Sequence, residues 1–180
     1  MLRQAGLSAP RPTGRYNRGV TETRRILFVC MGNIIRSPLA EHLFRRMAAE
    51  AGLDGKYQVD SAGTGGWHAG ESPDARMRRT AKRHGLIYDG QARQVRLSDF
   101  DAFDLIVAMD DDNRRELLAR TRTPEQRRKI RRLREFDPKA GADLDVPDPY
   151  YDGDEGFEET YRVVEAGVRG LLEALERGRV

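Results

Sequence analysis

Residues 26–38 read Ile26-Leu27-Phe28-Val29-Cys30-Met31-Gly32-Asn33-Ile34-Ile35-Arg36-Ser37-Pro38. The opening run is apolar and includes β-branched and aromatic side chains, the pattern of a strand buried on both faces at the centre of a parallel sheet. Ser37-Pro38 then starts a segment with Leu39, Leu43, Phe44 and Met47 at helical spacing that ends near Gly52. Proline is tolerated in the first helical turn, where a missing N–H costs no intrahelical bond. A strand feeding a helix through Cys30 to Arg36 sets that connection beyond the carboxyl end of a strand, where open α/β sheets bind ligands.

Such a turn aims backbone N–H groups into a bowl, and the helix adds the positive end of its dipole, so the bowl suits a phosphate-sized dianion. Gly32 is expected to supply an unusual backbone conformation, and Asn33 tolerates the left-handed region. The planar fork of Arg36 suits two phosphate oxygens at once. In that field the thiolate of Cys30 is favoured over the thiol, and Ser37 is placed to donate to it. Attack of the thiolate on phosphorus would give a phosphocysteine, dividing one hard displacement into two easier ones. The candidate phosphate-binding residues are therefore Met31, Gly32, Asn33, Ile34, Ile35, Arg36 and Ser37. Spacing alone is weak: with 28 arginines in 180 residues, one falls six places after a cysteine by chance about one time in six. Cysteine is also a frequent core residue. The strand before, Gly32-Asn33 within and the helix start after are what point to chemistry.

Outward from this segment, residues 1–24 are rich in Arg, Gly and Pro, lack apolar periodicity and read as a disordered extension, with residues 25–180 as one domain. Tyr57 to Asp60 reads as a second strand, and Ser61 to Gly70 as a Gly-rich loop holding the one tryptophan, Trp67. Residues 73–84 suit a helix stopped by Gly85. Strands are expected at Ala92 to Val95 and Asp104 to Met109, then a helix from Asp111 to Arg120 capped by Asp110. Ile130 to Phe136 reads as a strand or a helix end, Asp137 to Gly156 as loop, and Phe157 to Leu175 as a last amphipathic helix. Strands alternating with helices imply an α/β sandwich around a mainly parallel sheet.

Composition removes several function classes. The 32 Lys and Arg nearly balance 29 Asp and Glu, so the charge gives no reason to expect nucleic acid as a partner. The run Arg127, Arg128, Lys129, Arg131, Arg132 and Arg134 reads as a solvated face. No apolar run approaches the roughly 18 residues of a membrane span. A single cysteine excludes an intramolecular disulfide, and His42, His68 and His84 are too scattered to read as a metal site. Phosphoryl transfer also needs an acid that later serves as base, and one carboxyl can do both. Asp148, stiffened between Pro147 and Pro149, is the candidate, although Asp-Pro is also an ordinary turn.

Taken together, VCMGNIIRSPLAE, DSAGTGGWHAGESPD, the tripeptide Ala92 to Gln94, AMDDDN around Asp110 and DPYYDG from Asp148 make the chain resemble the low-molecular-weight protein tyrosine phosphatases of bacterial type from about residue 24 onward. That resemblance implies a three-layer sandwich with a twisted four-stranded parallel sheet, order 2-1-3-4, flanked by helices. It implies Cys30 as nucleophile, Arg36 as transition-state clamp, Asp148 as acid then base, and Ser61 as the brace of Asn33. Trp67 and Tyr150 would wall a slot deep enough for a phenyl ring; Trp67 reads equally well as a loop anchor in a small core. His84 would pair with Asp110. Tyr150 and Tyr151 are candidate phosphorylation sites. No metal or organic cofactor is implied, the partners are phosphotyrosine proteins and a cognate tyrosine kinase, no membrane is involved, and the setting is cytoplasmic, with signal-less export an option. The chain departs from the pattern at Ile35, where many relatives carry a second cysteine that protects the first, and at Gly90, where some carry histidine. Arsenate reduction through a cysteine relay within the chain is impossible with one cysteine. Arginine phosphatases carry threonine where Ile34 stands. A silent phosphopeptide-binding module would not need Asp148.

Overall fold

The computed structural model describes residues 23–180. Of the segment expected to be a disordered extension, only Thr23 and Arg24 are described, and Arg24 already opens the first strand; the rest of that expectation lies outside the described residues. Four strands, β1 (Arg24–Cys30), β2 (Tyr57–Gly63), β3 (Leu105–Ala108) and β4 (Ile130–Arg132), form one parallel sheet in the order β2-β1-β3-β4. The helices are α1 (Arg36–Glu50), α2 (Ala75–Arg83), α3 (Asp99–Ala102), α4 (Asp111–Arg120), α5 (Pro124–Arg128) and α6 (Asp154–Glu176).

The period-two geometry of a strand sorts β1 into two faces. Ile26, Phe28 and Cys30 join a core built with Leu39, Leu43 and Phe44 of α1 and Phe157, Tyr161, Val164, Val168 and Leu171 of α6. Leu27 and Val29 join the opposite core with Phe100, Ile106, Ala108, Leu117 and Ile130. Burial on both sides explains why the run 26–29 carries no polar residue.

Several expectations are corrected. Ala92 to Val95 does not form a strand: a lone bridge between Gly63 and Gln94 is all the pairing it makes. The Arg93 side chain is committed to Asp60 and Asp99 and the Gln94 amide to the Thr64 carbonyl, so the segment is anchored through side chains rather than through a ladder. Ile130 to Phe136 divides, with β4 followed by a 3-10 turn at Leu133–Phe136. The last helix begins at Asp154 rather than Phe157, since Asp154 and Glu155 suit the positive end of its dipole. Short helices α3 and α5 were not anticipated, because neither is long enough to show a period.

The 3-10 turn packs against α6 at two glycines. A Cβ at Gly167 would stand 2.6 Å from Leu133 Cγ, and one at Gly170 would stand 1.9 Å from the Phe136 carbonyl oxygen. A backbone oxygen cannot swing aside as a side-chain tip can. Gly170→Ala is therefore expected to lower stability by about 2 kcal/mol through overpacking, although alanine in a helix interior is intrinsically better than glycine by about 1 kcal/mol. Urea unfolding checks this, and a wild-type or higher stability would contradict so close a packing.

Candidate active site

Strand β1 ends at Cys30 and α1 begins at Arg36, so residues 31–35 form a tight loop over the edge of the sheet. Asn33 has φ 55°, the one described non-glycine residue in the left-handed region. Gly32, expected to carry the unusual conformation, does not have positive φ. What glycine permits there is close approach: a Cβ would lie 2.9 Å from His68 Cδ2. The left-handed turn brings the Asn33 N–H to donate to Cys30 Sγ at 3.3 Å, with Ser37 Oγ 3.1 Å from the same sulfur.

The Asn33 side chain holds the loop from behind. Its Nδ2 donates to Ser37 Oγ and Ser61 Oγ, each at 2.9 Å, and its Oδ1 accepts from the Arg93 N–H at 2.9 Å. Ser61, at the carboxyl end of β2, donates to Glu41 Oε2 at 2.6 Å. Burial pushes the Glu41 carboxyl up from its ordinary range, against the pull of the Ser61 bond and the Arg45 charge. Arg93 is fixed in turn by Asp60 and Asp99.

Arg36 is 2% exposed and carries its charge beneath the loop. One Nη donates to Asp110 Oδ2 at 2.6 Å and to the Val146 carbonyl at 3.1 Å, and the other to Asp148 Oδ2 at 2.8 Å. Burial opposes the charge on the guanidinium, but the negative charges of Cys30, Asp148 and Asp110 prevail and raise its pKa. Asp110 sits just beyond β3, and its other oxygen accepts from the Asn113 N–H, capping α4 as the sequence led one to expect. The partner expected for Asp110, His84, instead pairs with Glu158 of α6 at 2.5 Å and stacks on Tyr161. Placing His84 at the end of α2, against α6, is what rules out that pairing.

The loop bearing Asp148 is tied down on both sides. The Val146 N–H donates to the Met109 carbonyl at 2.8 Å, and the Thr160 hydroxyl to the Pro147 carbonyl at 3.2 Å. Asp148 Oδ1 accepts from the Tyr150 N–H at 3.2 Å.

A cavity of about 450 Å³ opens over Cys30 and Arg36, with Asp148 at its side and Ile34, Trp67, Tyr150 and Tyr151 as apolar walls. Trp67 is 70% exposed, which excludes the loop-anchor reading. Its indole crosses the space a Cβ of Gly65 would fill. The structure thus brings Cys30, Met31, Gly32, Ile34, Ile35, Arg36, Trp67, Asp148 and Tyr150 to one pocket, with Asn33, Ser37 and Ser61 behind it. Residues missed by sequence reasoning are Glu41, Arg93 and His68, along with the Arg36 contact of Asp110. For Glu41 a signal existed, since it lies four places after Ser37 and so on the same helix face.

A phosphate-sized bowl, a buried cysteine and an aromatic slot define a phosphatase-type site. The model of the family described as low molecular weight phosphotyrosine protein phosphatase matches residues 25–180. A low molecular weight protein-tyrosine-phosphatase of Streptomyces coelicolor is 49% identical over 154 residues, spanning 85% of this chain and 94% of that protein. The crystal structure of a protein tyrosine phosphatase from Entamoeba histolytica superposes with TM-score 0.83 at 40% identity, covering 87% of this chain and 99% of that one. A drosophila arginine phosphatase shares the scaffold, with TM-score 0.77, 34% identity, and coverage of 84% and 97%. The chain belongs to the low molecular weight phosphotyrosine protein phosphatase family, and is a protein-tyrosine-phosphatase enzyme of that family acting on phosphoproteins.

Asp110→Asn keeps a capping oxygen for α4 but withdraws the charge that holds Arg36. It is expected to lower kcat/KM on an aryl phosphate at least about tenfold, whereas Asp111→Asn, on the next residue and clear of Arg36, leaves it unchanged. Steady-state kinetics on both variants decide; equal rates would reduce Asp110 to a helix cap.

Proposed function

We propose that residues 25–180 form one phosphatase domain that hydrolyses phosphotyrosine in proteins through a phosphocysteine. The observation that carries this reading is that Cys30 Sγ, the Arg36 guanidinium and the Asp148 carboxylate share one pocket with aromatic walls. The Cys30 thiolate attacks phosphorus in line with the phenolic oxygen. As the S–P bond forms and the P–O bond breaks, the Asp148 carboxyl passes its proton to the leaving phenolate, so tyrosine departs neutral. Water then attacks phosphorus, Asp148 takes its proton, the S–P bond breaks, and inorganic phosphate leaves behind a restored thiolate.

Arg36 changes partners along this path. Before substrate arrives, one side of its fork is bonded to Asp148. A phosphoryl dianion offers stronger, bidentate acceptors to that fork. The Asp110 and Val146 bonds hold the other side of the guanidinium throughout.

Specificity follows from depth. A phenyl ring between Trp67 and Tyr150 carries its phosphate to the sulfur, while a phosphoserine side chain is too short to reach. A phosphoarginine substrate is the second reading, favoured by the drosophila relative. Ile34 on the pocket wall argues against it, because an apolar side chain leaves a guanidino group unpaired. A cytoplasmic setting and a tyrosine kinase as the opposing enzyme accompany this reading.

Phosphate release from phosphotyrosine, phosphoserine and phosphoarginine peptides, with wild type beside Cys30→Ser, tests it. Release from phosphotyrosine alone, abolished in the variant, is expected; preferential release from phosphoarginine would transfer the assignment. Asp148→Ala is expected to slow turnover of unactivated phenyl phosphate by about a hundredfold or more, and of an ester with a good leaving group far less. Equal losses on both would remove Asp148 from the acid role.

A further inference from the structure

Asp148 lies between two prolines, and neither has a backbone N–H to anchor the chain. Three successive carbonyls hold the segment that leads into it: Asp145 accepts from Arg134 Nη1 at 2.9 Å, Val146 from Arg36 at 3.1 Å and Pro147 from the Thr160 hydroxyl at 3.2 Å. Arg36 belongs to the phosphate site and Thr160 to α6. Arg134 belongs to neither: it stands in the 3-10 turn after β4 and has no part in the steps described above.

The guanidinium closes a small ring around Asp145. The same Nη1 also donates to Asp143 Oδ2 at 3.1 Å, and Asp143 Oδ1 accepts the Asp145 N–H at 3.1 Å. The carbonyl of Asp145 is thus held by Arg134 directly and its N–H through the Asp143 carboxylate. Its side chain is fixed separately, by the Asp111 N–H at 2.9 Å and Arg132 Nη1 at 3.3 Å. Read as a surface ion pair, Arg134 with Asp143 would be worth little. Yet the Arg134 side chain is only 13% exposed, and its shorter bond goes to the main chain, three residues before Asp148. A charge-assisted bond to a carbonyl fixes the path of the loop rather than one side chain.

That hold matters most once substrate is bound. In the free protein Asp148 is tied to Arg36 itself, at 2.8 Å. In the proposed reaction that side of the Arg36 fork passes to the phosphate, and the carboxyl is then placed by its loop alone. We propose that Arg134 is a positioning residue for the general acid: by gripping the Asp145 carbonyl it keeps the loop of Asp148 at the height from which the carboxyl meets the leaving oxygen. This rests on the reading of Asp148 as the acid. Arg134 touches neither substrate nor the reacting atoms, and acts through Asp145.

The test measures kcat/KM of Arg134→Met on unactivated phenyl phosphate and on an aryl phosphate with a good leaving group, in the wild-type and Asp148→Ala backgrounds. A merely structural loss lowers both esters alike. Loss of acid placement instead lowers phenyl phosphate turnover about tenfold, the worth of one hydrogen bond, and leaves the activated ester within about twofold. Once Asp148 is alanine, Arg134→Met should add less than about twofold on phenyl phosphate. Should Arg134→Met fail to fold, Arg134→Gln, polar but too short to reach the carbonyl, takes its place. Equal losses on the two esters, a full further loss in the Asp148→Ala background, or wild-type rates throughout would each overturn the proposal. Asp148→Ala slowing both esters alike is a different result: it ends the reading of Asp148 as the acid, and the proposal with it.

Discussion

The guanidinium of Arg36 lies almost wholly out of water, and an isolated buried charge costs several kcal/mol. Compensation comes from two separate parts of the chain: Asp110 after β3, and the proline-flanked loop that supplies both the Val146 carbonyl and Asp148. None of these is near Arg36 in sequence, so the charge is tolerable only when the parallel sheet has aligned the carboxyl ends of β1 and β3 side by side. Folding and site assembly are in this sense one event. Removing any one of these partners would leave the remaining charge less well compensated, which is why breaking such arrangements costs more than the net worth of the pair.

The same requirement makes the pocket asymmetric. On the sheet side every polar group has a fixed partner: Asn33 makes three side-chain bonds, Ser61 is held from two directions, and Arg93 is clamped between Asp60 and Asp99. On the solvent side the walls are large apolar rings with few polar ties. In the proposed reaction, rigid donors at the floor and adaptable apolar contacts at the rim would divide the labour between binding an invariant phosphate and admitting varied peptide surroundings.

Much of this was legible in the residues. The apolar run 26–29 reported a central strand because burial on both faces forbids alternation, and Gly85 and Pro38 marked helix limits for reasons of backbone geometry alone. Asp110 was legible as a cap, since a cap is a local relation, but its bond to Arg36 spans 74 positions and left no periodic trace. The same holds for the His84 and Glu158 pair, which forms only where the end of α2 packs against α6, so the Asp110 partner implied by the resemblance is not the one present. Ala92 to Val95 failed as a strand for a different reason: the segment makes one bridge and a set of side-chain anchors rather than a ladder. The arginine-rich run is a solvated face only at Arg127 and Arg128; Arg132 and Arg134 are largely covered and pair with Asp145 and Asp143, a burial that local composition does not show.

Trp67 gives the molecule an optical property that follows from its placement. It is the one indole in the chain, it stands largely in solvent at the mouth of the pocket, and its ring lies across a glycine rather than inside a core. Its emission therefore carries no background from a buried tryptophan elsewhere. Anything that settles into the slot changes the water around that ring, so occupancy of the site is written directly into the fluorescence of the unlabelled protein.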